Sequence, residues 1–198
     1  MEQNNANPAN RNPYTLWFVV LAFVAPVVVA YVMYFSGAIS TYSNNGEILN
    51  PIVDVADFKL MDDKNVSVSR EALTRKWRLI SFVGAECDEA CNARLYDSRQ
   101  VHKSLGKDQE RVERLIVHLE PAGSALSGLI KRDYPRAINV YGSEKIISDV
   151  LGAGAGISNN EIYLVDPIGN VMMRFSNELT KKEIKSDLKK LLKVSQIG

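Results

Sequence analysis

Twenty consecutive residues without a charge, Leu16 to Phe35 ("LWFVVLAFVAPVVVAYVMYF"), are the strongest constraint in this chain. At about 1.5 Å rise per residue, a helix of that length spans roughly 30 Å, the hydrocarbon thickness of a bilayer. Tyr14, Trp17, Tyr31 and Tyr34 lie towards its two ends, where amphipathic rings prefer the interface. Pro26 marks a place for a kink. A buried core helix rarely stays apolar for so long. A cleaved signal peptide has a shorter apolar core and more basic residues ahead of it, although "SGAIS" after Phe35 resembles a small-residue cleavage site. The reading taken is a single transmembrane helix over 15–35, kept as a permanent anchor. Arg11 precedes the span, and no Lys or Arg follows until Lys59. Basic residues stay on the cytoplasmic side, so the N-terminus is expected inside and the remainder translocated. In a bacterium that is the inner membrane with a periplasmic domain, an oxidising compartment where disulfides persist.

Residues 1–14, rich in Asn and Pro, read as a disordered cytoplasmic tail. Residues 36–50 ("SGAISTYSNNGEILN") read as a polar tether, and 51–198 as one folded domain, enough chain for a single core. A net charge of +1, with acids and bases interleaved, gives no support to nucleic-acid binding.

Within the domain the pattern alternates. "FKLMDDKNVSVS" (58–69) suggests a hairpin turning at Asp62–Asn65. "KWRLISFVG" (76–84) reads as a strand ending at Gly84, and helical pattern follows from about Cys87 to Leu105. "VERLIVHLEP" (112–121) is a strand closed by Pro121; "GSALSGLIKRDYP" (123–135) a short helix; "AINVYG" (137–142) another strand. "SEKIISDVLGAG" (143–154) is a helix with Ser143 as N-cap and Gly152 as terminator. "EIYLVDPIGNVMMRF" (161–175) is a hairpin around Asp166–Gly169. From Thr180 a last helix opens on a Thr180/Glu183 capping box and carries Ile184, Leu188, Leu191 and Leu192 on one face. The sum is an α/β or α+β sandwich whose apolar central strands call for a covered sheet.

The only two cysteines, Cys87 and Cys91, follow the 76–84 strand in "AECDEACN". On a helix, positions i and i+4 share a face with Cβ atoms about 5–6 Å apart, within disulfide range after modest adjustment. The same spacing offers two thiolates to one soft metal ion. A helix start favours thiolate, and Glu86, Asp88 and Glu89 oppose it weakly; Asp88 is also a candidate N-cap. Redox couple, metal clamp and structural disulfide all remain open on spacing alone. A crosslink closing so short a loop restricts the unfolded chain little, which makes stability a poor reason for it.

The order of motifs resembles the SCO family, membrane-anchored thioredoxin-fold proteins of cytochrome c oxidase assembly. One N-terminal span is followed by a strand, C-x-x-x-C as "CDEAC", a strand ending in "LEP", and "IYLVDPIGNV", similar to the family's "YLIDPDG" hairpin; the likeness covers roughly 51–192. It implies a thioredoxin-like (SCO/peroxiredoxin-like) sheet flanked by helices. It also implies a thiol–disulfide or copper-handling role at Cys87 and Cys91, with Cu(I) as metal. The partners it implies are an oxidase subunit or another assembly factor. If the pair works as an oxidoreductase, Cys87 attacks and Cys91 resolves. This chain departs from the family in three places. Asp88 and Asn92 replace prolines, Glu120 replaces an aspartate, and Ser158 occupies the position of the copper-binding histidine. Two thiolates without an imidazole suit Cu(I) better than Cu(II). Of the two histidines, His102 would lie three turns beyond Cys91, and His118 reads as a sheet histidine rather than a ligand.

Other signals are thin. "GAGAG" (152–156) follows a helix and does not open one, which excludes a dinucleotide fingerprint. The basic terminal helix reads as a solvated, domain-closing helix ahead of a membrane-surface one. No Ser-His-Asp set or carboxylate pair has a convincing context. The rival from another class is a non-catalytic assembly or scaffold protein with structural cysteines. A peroxide-reducing thiol enzyme is disfavoured by the acids around Cys87.

Overall fold

Strand β2 (Trp77–Val83) is buried at all seven positions, so it must be covered on both faces and flanked on both edges. The rest of the architecture satisfies that demand. The computed structural model describes residues 13–36, 44–152, 157, 160–195 and 197. Its elements run α1 (Pro13–Phe35), β1 (Glu47–Asp54), β2, α2 (Glu89–Lys103), β3 (Val112–His118), α3 (Ser124–Asp133), β4 (Ile138–Tyr141), α4 (Glu144–Leu151), β5 (Ile162–Val165), β6 (Asn170–Phe175) and α5 (Lys181–Val194). Short 3-10 turns join them.

The six strands form one sheet in the order β1-β6-β5-β2-β3-β4. β2, β3 and β4 are parallel, with Val83 opposite His118 and His118 opposite Tyr141. α2 and α3 supply the crossovers that parallel neighbours require. β5 runs antiparallel to both β2 and β6, and β1 antiparallel to β6. On one face, Ile80 and Phe82 pack with Leu115, Val117, Tyr163, the 3-10 turn Val55–Phe58 and Ile147 of α4. On the other, Leu79 packs with Ile162, Leu164 and Phe175 under Val101, Ile184, Leu188 and Leu192 of α2 and α5. Val83 and Ile116 pack under Cys91, Leu95, Leu126 and Ile130 of α2 and α3.

Several local expectations hold. Asp88 caps α2, Gly152 ends α4 in the left-handed region, and the Thr180/Glu183 capping box opens α5. Asp166 holds the β5–β6 turn by accepting from the Ile168 and Asn170 amides. Two expectations change. The hairpin over 58–69 shrinks to one isolated bridge, Met61 to Ser67. Phe58 and Leu60 are drawn into the core while Val66 stays exposed, and Met61 also bridges Tyr141, so the two arms never align. The stretch 36–50, read as tether, contributes a strand. β1 begins at Glu47, and its compact unit runs from Asn44 to Gly198. β1 is an edge strand, and its register with β6 shifts between Ile48 and Val53, around Pro51, which has no amide to donate. The tail 1–12, residues 37–43 of the tether and residues 153–156 of the glycine run lie outside the described residues.

The separate N-terminal unit contains α1, a 23-residue helix with Pro26 inside it and apolar side chains exposed along its length. Its Tyr14–Phe35 portion is long and apolar enough to cross a membrane.

The folded unit opens on a charged clasp. Asp187 of α5, fully buried, accepts from the backbone amides of Asn45 (2.6 Å) and Gly46 (2.9 Å) and from Lys190 Nζ (3.1 Å). Such charge-assisted bonds outweigh neutral ones, and removing the acceptor strands two amides. Asp187→Ala should therefore lower the stability of the folded unit by about 2–4 kcal/mol, read as a shift in urea midpoint. A change below about 0.5 kcal/mol, the usual scale of neutral surface substitutions, would mean that the clasp carries no load.

Candidate functional site

Beyond Val83, β2 gives way to a loop that cannot wander. The chain leaving β3 runs beside it, with Leu119 N–H donating to Val83 C=O (2.9 Å) and Gly123 N–H to Ala85 C=O (3.0 Å). Asp88 then stops the loop and starts α2, its Oδ1 accepting from the Cys91 amide at 2.8 Å. These restraints set the two cysteines at the carboxyl end of the parallel strands.

Cys87 and Cys91 are joined as a disulfide, with Cα atoms 5.3 Å apart. The two sulfurs occupy different surroundings. Cys91 is 1% exposed and belongs to the core cluster under α2 and α3. Cys87 is half-buried and lines an open cleft of about 380 Å³. Ala85, Glu86 and Asn92 form one wall of the cleft, and the first turns of α3, Gly123 to Leu129, form the other. No side chain caps the amino end of α3, and no acid lies in its first turn. The cleft thus has free amide donors on one side and the exposed carboxylates of Glu86, Asp88 and Glu89 near the other.

Sequence reasoning missed two residues here. Asn92, which replaces a proline of the resembled family, donates from Nδ2 to Cys87 C=O (3.3 Å). Its Oδ1 is buried without a hydrogen-bond partner. Arg94, one turn beyond Cys91, is 5% exposed and donates to three carbonyls: Asn160 (2.8 Å), Leu179 (3.0 Å) and Ser176 (2.8 Å). It ties α2 to the segments before β5 and after β6. Burial lowers its pKa, while Asp97 and Glu161 act the other way. Only its position three residues after Cys91, on the inward face of an otherwise polar helix, hinted at this role.

His118 ends β3 and turns towards β4. Its Nε2 meets Asn139 Oδ1 at 3.1 Å, and its ring stacks on Tyr141 at 5.0 Å between centroids. His102 Nε2 meets Val112 C=O at 2.8 Å. Each histidine thus has its Nε2 engaged by a group other than the cysteines, while His118 Nδ1 is buried without a hydrogen-bond partner. Ser158 and Asn159 lie outside the described residues. Among the described residues, no group of three or more His, Cys, Asp or Glu side chains could hold a metal ion. The donor set available to copper is two sulfurs once the disulfide is reduced, which fits Cu(I) and does not fit an imidazole-completed Cu(II) site.

An apolar-backed mixed sheet, helices on both faces and a cysteine pair at the carboxyl end of its parallel strands define a thioredoxin-like protein. Residues 77–195 match the family model described as transmembrane-like, thioredoxin-like, C-terminal domain, and the chain belongs to that family. No curated protein matches the sequence. Among solved structures it resembles apo Sco1 from Thermus thermophilus, at 19% identity and TM-score 0.57 over 78% of this chain and 98% of that one. It also resembles yeast Sco1 with copper bound, at 15% identity and TM-score 0.55 over 74% and 94%. A third likeness is to BsSco, in which a disulfide switch was identified and which is described as a member of the Sco family of cytochrome c oxidase assembly proteins. It stands at 18% identity and TM-score 0.54 over 73% and 96%. At these identities the likeness establishes the fold, as the motif order implied.

The two histidines should make the stability of this domain acid-sensitive. Burial lowers the pKa of both His118 and His102 below 6.5. For His102 the nearby Arg114 and Arg136 add to the lowering, and for both a hydrogen bond partly offsets it. Between each folded pKa and 6.5 the unfolded chain binds more protons than the folded one. The contribution is complete above about pH 6.5 and is lost as pH falls below it. Urea midpoints should drop between about pH 7 and pH 5, and His118→Gln should flatten part of that slope. An unchanged slope in this variant would show that His118 is not buried neutral.

Proposed function

We propose that this chain is a membrane-anchored thiol–disulfide and copper-handling protein of SCO type, acting outside the bacterial inner membrane in cytochrome c oxidase assembly. The observation that carries this reading is the asymmetry of the Cys87–Cys91 pair: half-buried Cys87 lines an open cleft, whereas Cys91 is buried in the core. A structural crosslink needs no accessible sulfur, whereas thiol exchange needs one attacker and one resolver.

In the reduced form, the Cys87 thiolate attacks one sulfur of a partner's disulfide, and the partner's other sulfur leaves as thiolate. The Cys91 thiolate then attacks Cys87 Sγ, releasing the partner's second thiolate and closing Cys87–Cys91. Two electrons pass to the partner, whose thiolates take up the protons that Cys87 and Cys91 gave up. A second dithiol, of reductase class, restores the pair. The open amino end of α3 favours the attacking thiolate, and Asp88 holds the Cys91 amide so that the resolving sulfur stays within reach. Cu(I), as cargo, would be held by the same two sulfurs in their reduced state.

The anchor reading rests on the length and composition of Tyr14–Phe35, and the periplasmic placement on Arg11 ahead of it. Support for oxidase assembly comes from the Sco structures, one of them with copper bound and another from a described assembly protein.

Cys91→Ser should accumulate mixed disulfides through Cys87, visible on non-reducing gels, whereas Cys87→Ser should accumulate none. Both variants should lower the copper content of the oxidase in cells. Equal trapping by the two variants, or full oxidase copper in both, would defeat the reading.

A further inference from the structure

A second cleft, of about 300 Å³, opens between α2, the start of β3 and the end of α3. It lies towards the amino ends of the parallel strands, whereas the cysteines lie at their carboxyl ends. Arg99, Lys103, Arg114 and Arg136 line it, with His102 and Asp133. Among the described residues none of the four cations has a carboxylate within ion-pair distance, while Asp133 is already engaged by Arg132 (2.9 Å).

Arg114 is the anomaly. It is 6% exposed, and its Nε is buried with no hydrogen-bond partner. Its guanidinium lies over the Tyr134 ring, with Cζ 6.0 Å from the ring centroid, and shares that ring with another cation, Arg99, whose Cζ also stands 6.0 Å from the centroid. Arg78, one position away in register and equally buried, also has an orphaned Nε, but its terminal nitrogens donate to Glu113 and to the carbonyls of Ala72, Thr74 and Lys76. Buried guanidinium groups are paired as a rule, because desolvation without a counter-charge is costly. Here the fold concentrates positive charge around the unpaired one. Burial and Arg99 push the Arg114 pKa down, and Tyr134 partly offsets them.

We infer that this cleft is an anion site, with Arg114 at its floor and Arg99, Lys103 and Arg136 at its walls, for a small phosphate-bearing ligand. Guanidinium forks match the tetrahedral oxygens of phosphate, and three arginines with a lysine favour a multiply charged anion over chloride. The site is independent of the thiol reading: it is built from other residues, and it would stand if the cysteines proved idle.

The test uses the full chain in neutral detergent micelles, with thermal unfolding followed in sodium phosphate and in sodium chloride at equal ionic strength. Phosphate at ten times its Kd should raise Tm by about 3–6 °C over chloride. Arg114→Met should remove that rise while leaving Tm in chloride equal to or above the parent, since an unpaired buried charge is lost. Should Arg114→Met fail to fold, the exposed pair Lys103→Ala/Arg136→Ala provides the second variant, and it should cut the rise by more than half. A phosphate group could also arrive on a lipid. A parallel arm reconstitutes the chain in phosphatidylcholine vesicles with or without phosphatidylglycerol. An Arg114-dependent rise in micelles assigns a free anion, and one seen only with phosphatidylglycerol assigns a headgroup. No rise in either arm, or a rise that survives both sets of substitutions, overturns the inference.

Discussion

The double-sided burial of β2 is the constraint from which the rest follows. A strand reading W-R-L-I-S-F-V with no exposed position cannot be an edge and cannot leave a face bare. It takes β3 on one side and β5 on the other, helices α2, α3 and α5 above, and α4 with the 3-10 turns below. The one place where its chain may surface is its carboxyl end. There Gly84 begins a loop, the segment leaving β3 pins that loop, and Asp88 turns it into a helix. The cysteines are functional candidates because of where β2 is forced to stop, not because of their spacing alone.

Placement at a strand end also divides the pair chemically. Cys91 is inside the first full turn of α2 and faces the sheet, so it is packed. Cys87 precedes the cap and faces the cleft. Arg94 extends this order by one turn: its three carbonyl bonds hold the segments before β5 and after β6 against α2. A guanidinium can bond three carbonyls of two chain segments at once, and a cation with a single charged tip cannot match that fork. Two of the substitutions that set this chain apart from its resembled family fall around the same spot. Asp88 caps the helix, and Asn92 bonds the Cys87 carbonyl. Both replace a rigid ring with a hydrogen bond.

Much of this was legible in the sequence. Long apolar runs fixed β2 and β3, and local chemistry fixed the Asp88 cap, the Thr180/Glu183 box and the Asp166 turn. Each depends on residues close together in sequence. What escaped depends on residues far apart. β1 looked like tether because an edge strand shows water most of its side chains and its Pro51 reads as a breaker; its pairing is with β6, over a hundred residues on. Arg94 looked like one more polar residue on a charged helix, since its partners come from two distant segments. The basic cleft is drawn from three elements whose charges are diluted by neighbouring acids in the linear chain, which left the net charge near zero and concealed it.

The central claim is that the Cys87–Cys91 bond is an exchangeable couple. Equilibrating the full chain in glutathione and dithiol buffers of graded potential, then counting alkylated cysteines by mass, measures this directly. The account predicts a two-electron transition between about −180 and −270 mV, the range of thiol-exchange proteins. A pair that stays oxidised below about −300 mV would be a structural crosslink and would contradict it.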